Sequence, residues 1–228
     1  MNDPEIRALL YPLLQGGVYV DELPTGTTRA DVVHITAQFM HGYELKSDGD
    51  TLLRVKAQLP CYARAYDFVT FVVTEKHLAK LLDAVPEWVG VLVASAQGLR
   101  AHRPARYNAT VERGAVAGLL RLSEVKQYLM DHGLHHVSLL RRRDVVKLLN
   151  GTQVILLSHL CQFVRDRLMA RMPQRLENRE VRKAERAKAA KRKARGRKPT
   201  GGAKGKPVHV PAAKAAAPGK ARKTTARP

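Results

Sequence analysis

With 228 residues, 45% hydrophobic content and a net charge of +20, the chain can build one substantial core with an appendage, and it favours polyanionic partners. Its apolar runs fall far short of the ~20 residues a membrane helix needs, and no apolar stretch follows an N-terminal basic cluster, so neither membrane spanning nor secretion is expected. Cys61 and Cys161 fit no metal-ligand spacing and read as reduced thiols of a cytoplasmic, nucleoid-associated protein.

The charge is uneven. Residues 173–228 hold 19 Lys and Arg against 3 Asp and Glu, so about +16 of the +20 sits in the last quarter. The remainder reads as an ordinary globular protein.

In chain order, Asn2 or Asp3 can cap a first helix. Pro4 suits its first position, Ile6, Leu9, Leu10, Leu13 and Leu14 recur at helical spacing, and Gly16-Gly17 stops it. Strand-like segments follow at 18–23, at 31–36 after a polar Thr/Gly loop, and at 42–46, close enough to predict an antiparallel meander. A helix is predicted over 50–66, with Pro60 inside it. A buried strand at 68–73, a helix at 75–84 and a second buried strand at 88–94 complete a mixed α/β sheet flanked by helices. From Gln97, with Arg100, His102, Arg103 and Arg106, the chain reads as an exposed connector. Two helices are expected over 115–149, the first capped by Ser123 and ended by Gly133-Leu134 and the second running over 140–149. A third helix, capped by Thr152, runs to Pro173. Arg175 to Arg195 can form a lone charged helix. The final Ala-, Lys-, Gly- and Pro-rich stretch buries too little apolar surface to offset the entropy of ordering and is expected to be disordered. The expected organisation is a core over 1–96, a helical unit over 97–172 and a basic tail over 173–228.

The segment from Asp31 to Lys46 carries the chemistry. Side chains alternate along a strand, so Glu44 and Lys46 emerge on one face and Tyr43 and Leu45 on the other, toward the core. A carboxylate beside an ammonium on a buried strand is costly unless it is used. If the second and third strands pair as a hairpin, Asp31 approaches Glu44. Two converging carboxylates make the hard, oxygen-rich site that Mg2+ or Mn2+ prefers, and a nearby Lys can orient or deprotonate an attacking water. Asp31 and Glu44 are therefore the expected metal ligands, and Lys46 the cation that handles water.

RADVV followed by GYELKSD resembles the split Asp…Glu-x-Lys signature of the PD-(D/E)XK nucleases, with Ala30 where the signature name has Pro. Gln58 and Tyr62, in QLPCY, resemble the Gln-x-x-x-Tyr helix motif of RecB-type and phage exonuclease members. Residues four apart share a helix face. Glu22 matches an additional acidic position of related families. The resemblance covers Met1 to Val93 and extends to MmcB-like putative DNA-repair endonucleases and an uncharacterised sce-type family. It implies a restriction-endonuclease-like fold, magnesium-dependent cleavage of DNA by Asp31, Glu44 and Lys46, and support from Glu22, Gln58 and Tyr62. The alternative is a non-catalytic DNA-binding or nucleoid-associated protein on a degenerate nuclease fold, and RNA processing is a third reading.

Residues 123–149 resemble SAP-like DNA-binding helical modules, in which Arg141, Arg142 and Arg143 could contact phosphates; a packing appendage with a solvated basic face is the plainer reading. His132, His135 and His136 lack the ligand set of a zinc site and read as exposed. The tail, including Lys191, Arg192 and Lys193, resembles linker-histone ends and is expected to add salt-sensitive, sequence-independent affinity for nucleic acid.

Overall fold

The computed structural model describes residues 1–172 together with Glu185 and Lys188. The expected charged helix and basic tail otherwise lie outside these residues. Helix α1 (Asp3–Leu10) opens with a reciprocal cap: Asn2 Oδ1 accepts the Glu5 N–H at 3.0 Å, and Glu5 Oε2 accepts the Asn2 N–H at 2.8 Å. Strands β1 (Val18–Thr25) and β2 (Thr28–Ile35) then form a hairpin. The expected polar loop shrinks to Gly26-Thr27, because Gly26 adopts φ +61°, which a two-residue hairpin turn needs and glycine takes without steric cost. Strand β3 (Met40–Lys46) pairs antiparallel with β2, so the expected meander is present.

The next two strands, β4 (Phe68–Thr74) and β5 (Gly90–Ser95), run parallel to β3. Parallel neighbours need crossovers, supplied by α2 (Val55–Ala63) and α3 (Glu75–Ala84). Helix α2 is shorter than the sequence predicts. Its expected first turn is consumed by a local bend in which Asp50 Oδ2 accepts from both the N–H and the Oγ of Ser47. The helix nonetheless runs through Pro60.

The exposed connector expected after Gln97 is instead strand β6 (Gly98–Arg103), antiparallel to β5. The expected boundary at 96/97 thus falls in the β5–β6 turn. Arg100, His102 and Arg103, which suggested a connector, belong to an edge strand, where charged side chains block further strand addition, and Arg106 follows it. The sheet order is β1-β2-β3-β4-β5-β6.

Between β6 and Pro173 four helices stand where three were expected: α4 (Arg113–Gly118), α5 (Leu122–Asp131), α6 (Arg142–Gly151) and α7 (Leu157–Ala170). Gly133 takes φ +77° and the Leu134 N–H reaches the Leu129 carbonyl, so the expected helix end is present. The expected N-caps are not used. Arg121 and Leu156 occupy those positions, and Thr152 ends α6 rather than starting α7.

The sheet separates two apolar layers. Ile6, Leu10 and Leu14 pack on Val32, Tyr43, Leu45 and Val72. On the other face Val33, Ile35, Val69, Phe71 and Val91 join α2, α3 and helices α4 to α7 in one continuous cluster that includes Val116, Leu129, Leu149 and Val164. Tyr43 and Leu45 thus face α1, while Glu44 and Lys46 emerge on the opposite side, as the strand alternation predicts.

Candidate functional site

The β2–β3 register sets Val32 opposite Tyr43, so continuing it would set Asp31 opposite Glu44. The ladder stops one pair short. Asp31 Oδ2 takes the place of a backbone acceptor and receives the Leu45 N–H at 2.8 Å. On the other side, the β1–β2 register skips the pair Glu22–Asp31, and Glu22 adopts φ +56°. Left-handed backbone at a non-glycine residue costs about 1–2 kcal/mol. The sheet therefore departs from regular pairing on both sides of Asp31.

Glu44 is 2% exposed and accepts three donors. Lys46 Nζ and Gln58 Nε2 reach Oε1 at 2.7 and 2.5 Å, and the Tyr62 hydroxyl reaches Oε2 at 2.6 Å. Gln58 and Tyr62 come from α2 despite Pro60 between them. One turn of helix sets both on the face toward β3, and the missing Pro60 N–H does not disturb that face. Buried charges persist when paired and hydrogen-bonded, and this carboxylate is both. Burial and the Glu44 charge push the Tyr62 pKa upward, so Tyr62 stays a neutral donor.

Asp31 is different. Burial and repulsion from Glu44 push its pKa up to about 7, against the opposing pull of the Leu45 N–H and of Lys46. Asp31 and Glu44 line one cavity of about 640 Å³ with Lys46, Gln58, Arg29 and Glu22. Tyr62 is fully buried and acts through Glu44.

Among the described residues, no group of three or more His, Cys, Asp or Glu is arranged to hold a metal. What the cavity offers is a two-carboxylate set. The hydrogen bonds described leave Asp31 Oδ1 and one lone pair of Glu44 Oε2 unused. That fits Mg2+ or Mn2+, which take few protein oxygens and complete their shell with water and phosphate.

Glu22, expected as a supporting acid, lines the cavity but is ion-paired with Arg7 at 3.1 Å and Arg29 at 3.4 Å. Sequence reasoning missed Arg7. From α1 its guanidinium donates to Asp3 Oδ1 at 2.7 Å, to Asp21 Oδ1 at 3.3 Å and to the Asp31 carbonyl at 2.9 Å. It ties the helix to the irregular stretch of β1 and β2. The only local signal was the Asp3–Arg7 spacing of four.

The arginine triplet lies elsewhere, at the start of α6. Arg142 donates to the Leu120 carbonyl at 3.1 Å and the Gly118 carbonyl at 3.5 Å, Arg143 lies 3.5 Å from Asp144, and Arg141 is exposed. His132, His135 and His136 are exposed, and the His132 ring donates to the Tyr128 carbonyl. Lys191, Arg192 and Lys193 lie outside the described residues. No helix among the described residues is long and apolar enough to cross a membrane.

A family model described as bacteriophage P4 protein cII matches residues 13–192, more than three quarters of the chain. The chain belongs to the bacteriophage P4 protein cII family. The span of this cII-family match takes in all six strands and the positions of Asp31, Glu44, Lys46, Gln58 and Tyr62, and it begins after Arg7. No curated protein matches the chain. A solved protein of unknown function from Silicibacter pomeroyi is similar to it at 19% identity and a TM-score of 0.39, over 58% of this chain and 92% of that one.

Proposed function

We propose that this chain is a divalent-metal-dependent nuclease that hydrolyses DNA phosphodiester bonds, as its resemblance to the PD-(D/E)XK nucleases implies. The observation that carries this reading is the meeting of Asp31, Glu44 and Lys46 at one cavity, with the Asp31 pKa held near neutrality. Asp31 and Glu44 would hold Mg2+ or Mn2+, which when bound supplies Lewis-acid activation of the scissile phosphate and of a bound water. Lys46 uses two of its three donors, on Glu44 Oε1 at 2.7 Å and Gln58 Oε1 at 3.4 Å, and the third can orient a water and offset charge on the phosphate. Gln58 and Tyr62 fix the Glu44 carboxylate so that it need not reorganise during the reaction. Arg29 and Arg7 hold Glu22 at the rim.

The test is cleavage of plasmid, linear and branched DNA with Mg2+ or Mn2+, with RNA in parallel. Lys46→Ala is expected to abolish cutting while largely sparing DNA binding. Because that change leaves a buried carboxylate without its cation, at a cost of about 3–5 kcal/mol, folding is checked by circular dichroism. Asp31→Asn serves as the second variant, since Asn can still accept from the Leu45 N–H. Undiminished cutting by both folded variants would defeat the assignment.

One observation favours a second reading, a non-catalytic DNA binder on the same fold: three donors already hold the Glu44 carboxylate. Calorimetry with Mn2+ separates the two. Ion binding that disappears in Asp31→Asn supports the nuclease, and no heat in the wild type supports the binder.

A further inference from the structure

A second cavity, of about 970 Å³, lies between the β1–β2 hairpin and helices α4 and α6. Pro24 and Gly26 line both this cleft and the carboxylate cavity, so the hairpin tip is their common wall. The tip is held firmly. Thr25 Oγ1 is hydrogen-bonded to the Tyr66 hydroxyl, and Gly26 sits so close to Cys61 that an added Cβ would lie 3.1 Å from its Sγ.

The two spaces differ in charge. The carboxylate cavity carries Asp3, Glu22, Asp31, Glu44 and Asp50 on its walls beside Arg29, Lys46 and Arg54, whereas no Asp or Glu lines the cleft. Its charged wall residues are Arg121, Arg142 and Arg171, and Arg171 is already ion-paired with Glu124. Arg121 and Arg142 are exposed. The Gly118 and Leu120 carbonyls hold the Arg142 guanidinium in place and leave donors of its five free for a phosphate. Between these arginines the wall is apolar, formed by Leu23, Pro24, Leu119 and Val146. A duplex keeps its base faces buried in the stack. An unpaired strand presents phosphate and base faces together.

We infer that this cleft receives an unpaired segment of the DNA strand, with Arg142 and Arg121 on its phosphates and its bases against the apolar wall, and that the strand crosses the Pro24–Gly26 ridge to reach Asp31 and Glu44. The inference rests on the nuclease reading for what lies beyond the ridge, and it deepens that reading by naming the substrate: DNA with a single-stranded portion.

Gly118 provides the test. It lies at the end of α4 on the cleft wall, and an added Cβ there meets nothing within 4 Å, so Gly118→Phe adds bulk at the cleft wall without a backbone clash. Fluorescence anisotropy with EDTA present, on the full-length chain, compares a short single-stranded oligonucleotide with its duplex at one salt concentration. Gly118→Phe and the surface change Arg121→Glu are expected to weaken single-strand binding about tenfold or more, while duplex binding stays within about twofold. Unchanged single-strand affinity in both variants, equal losses on single strand and duplex, or much tighter capture of single-stranded RNA would each overturn the inference. The nuclease reading fails separately. A wild-type chain that binds single strands through the cleft yet cuts no DNA leaves this inference standing and removes that one. Vigorous cutting by the wild type with unaltered single-strand affinity in both variants does the reverse.

Discussion

At the scale of single residues, the site is governed by an imbalance between its two carboxylates. Glu44 is surrounded by donors, while Asp31 is half-buried beside it with one backbone N–H and a pKa pushed up to about 7. The folded Asp31 pKa thus lies above its ordinary value of 3.8. Between those values the folded state binds more protons than the unfolded state, so its stabilising contribution is complete below about pH 4 and is lost as pH rises through 7. In metal-free buffer, Asp31→Asn is therefore expected to be more stable than wild type at pH 8, by up to about 4 kcal/mol, with the difference shrinking toward pH 4. Denaturant titrations at the two pH values check this, and a pH-independent difference would mean that Asp31 is not held near neutrality. A divalent ion would act on the same group by displacing its proton. Strand alternation alone sets Glu44 and Lys46 on one face, whereas Asp31 was named through the expected β2–β3 hairpin and the resemblance to the PD-(D/E)XK signature. Arg7 could not be named in this way, because its partners on β1 and β2 lie 14 or more residues away in sequence.

At the scale of elements, helix α2 shows how little a proline changes when the face that matters does not need its N–H. Gln58 and Tyr62 meet Glu44 across Pro60 as the four-residue spacing predicts. Helices α4 and α6 show the reverse, a contact invisible in the sequence. The Gly114 N–H donates to Asn150 Oδ1 at 2.8 Å, and a Cβ at Gly114 would lie 2.6 Å from Val146 Cγ1. Overpacking of that kind costs about 1–3 kcal/mol, more than the ~1 kcal/mol an alanine gains over glycine in helix propensity. Gly114→Ala should thus lower the melting temperature, and adding Val146→Ala should recover part of the loss. Strictly additive effects in that double-mutant cycle would show that the two helices do not meet there. Strand β6 escaped the sequence reading for a related reason. An edge strand with one weakly buried face carries no apolar alternation, and only its pairing with β5 reveals it.

At the scale of the whole molecule, one apolar cluster runs from the sheet into helices α4 to α7, so those helices complete the core on that face of the sheet. Arg165 on α7 adds a hydrogen bond to the Ala37 carbonyl in the turn between β2 and β3. The charge is arranged otherwise, with about +16 of the +20 carried by residues 173–228. If the chain binds DNA, deleting those residues should flatten the dependence of log K on log salt, because fewer counterions are released. A slope that survives the deletion would move the phosphate contacts onto residues 1–172, where Arg121 and Arg142 are exposed.

The sequence by itself determined the mixed α/β class, most element positions from α1 to β5, the face shared by Glu44 and Lys46, and the concentration of charge in the last quarter. These follow from periodicity and composition, which are local properties of the chain. Tertiary structure alone decided the gap in pairing around Asp31, the Arg7 tie, the sixth strand and the arginine-lined cleft. Each is made by residues far apart in sequence, and no local pattern records which distant groups the packed core will bring together.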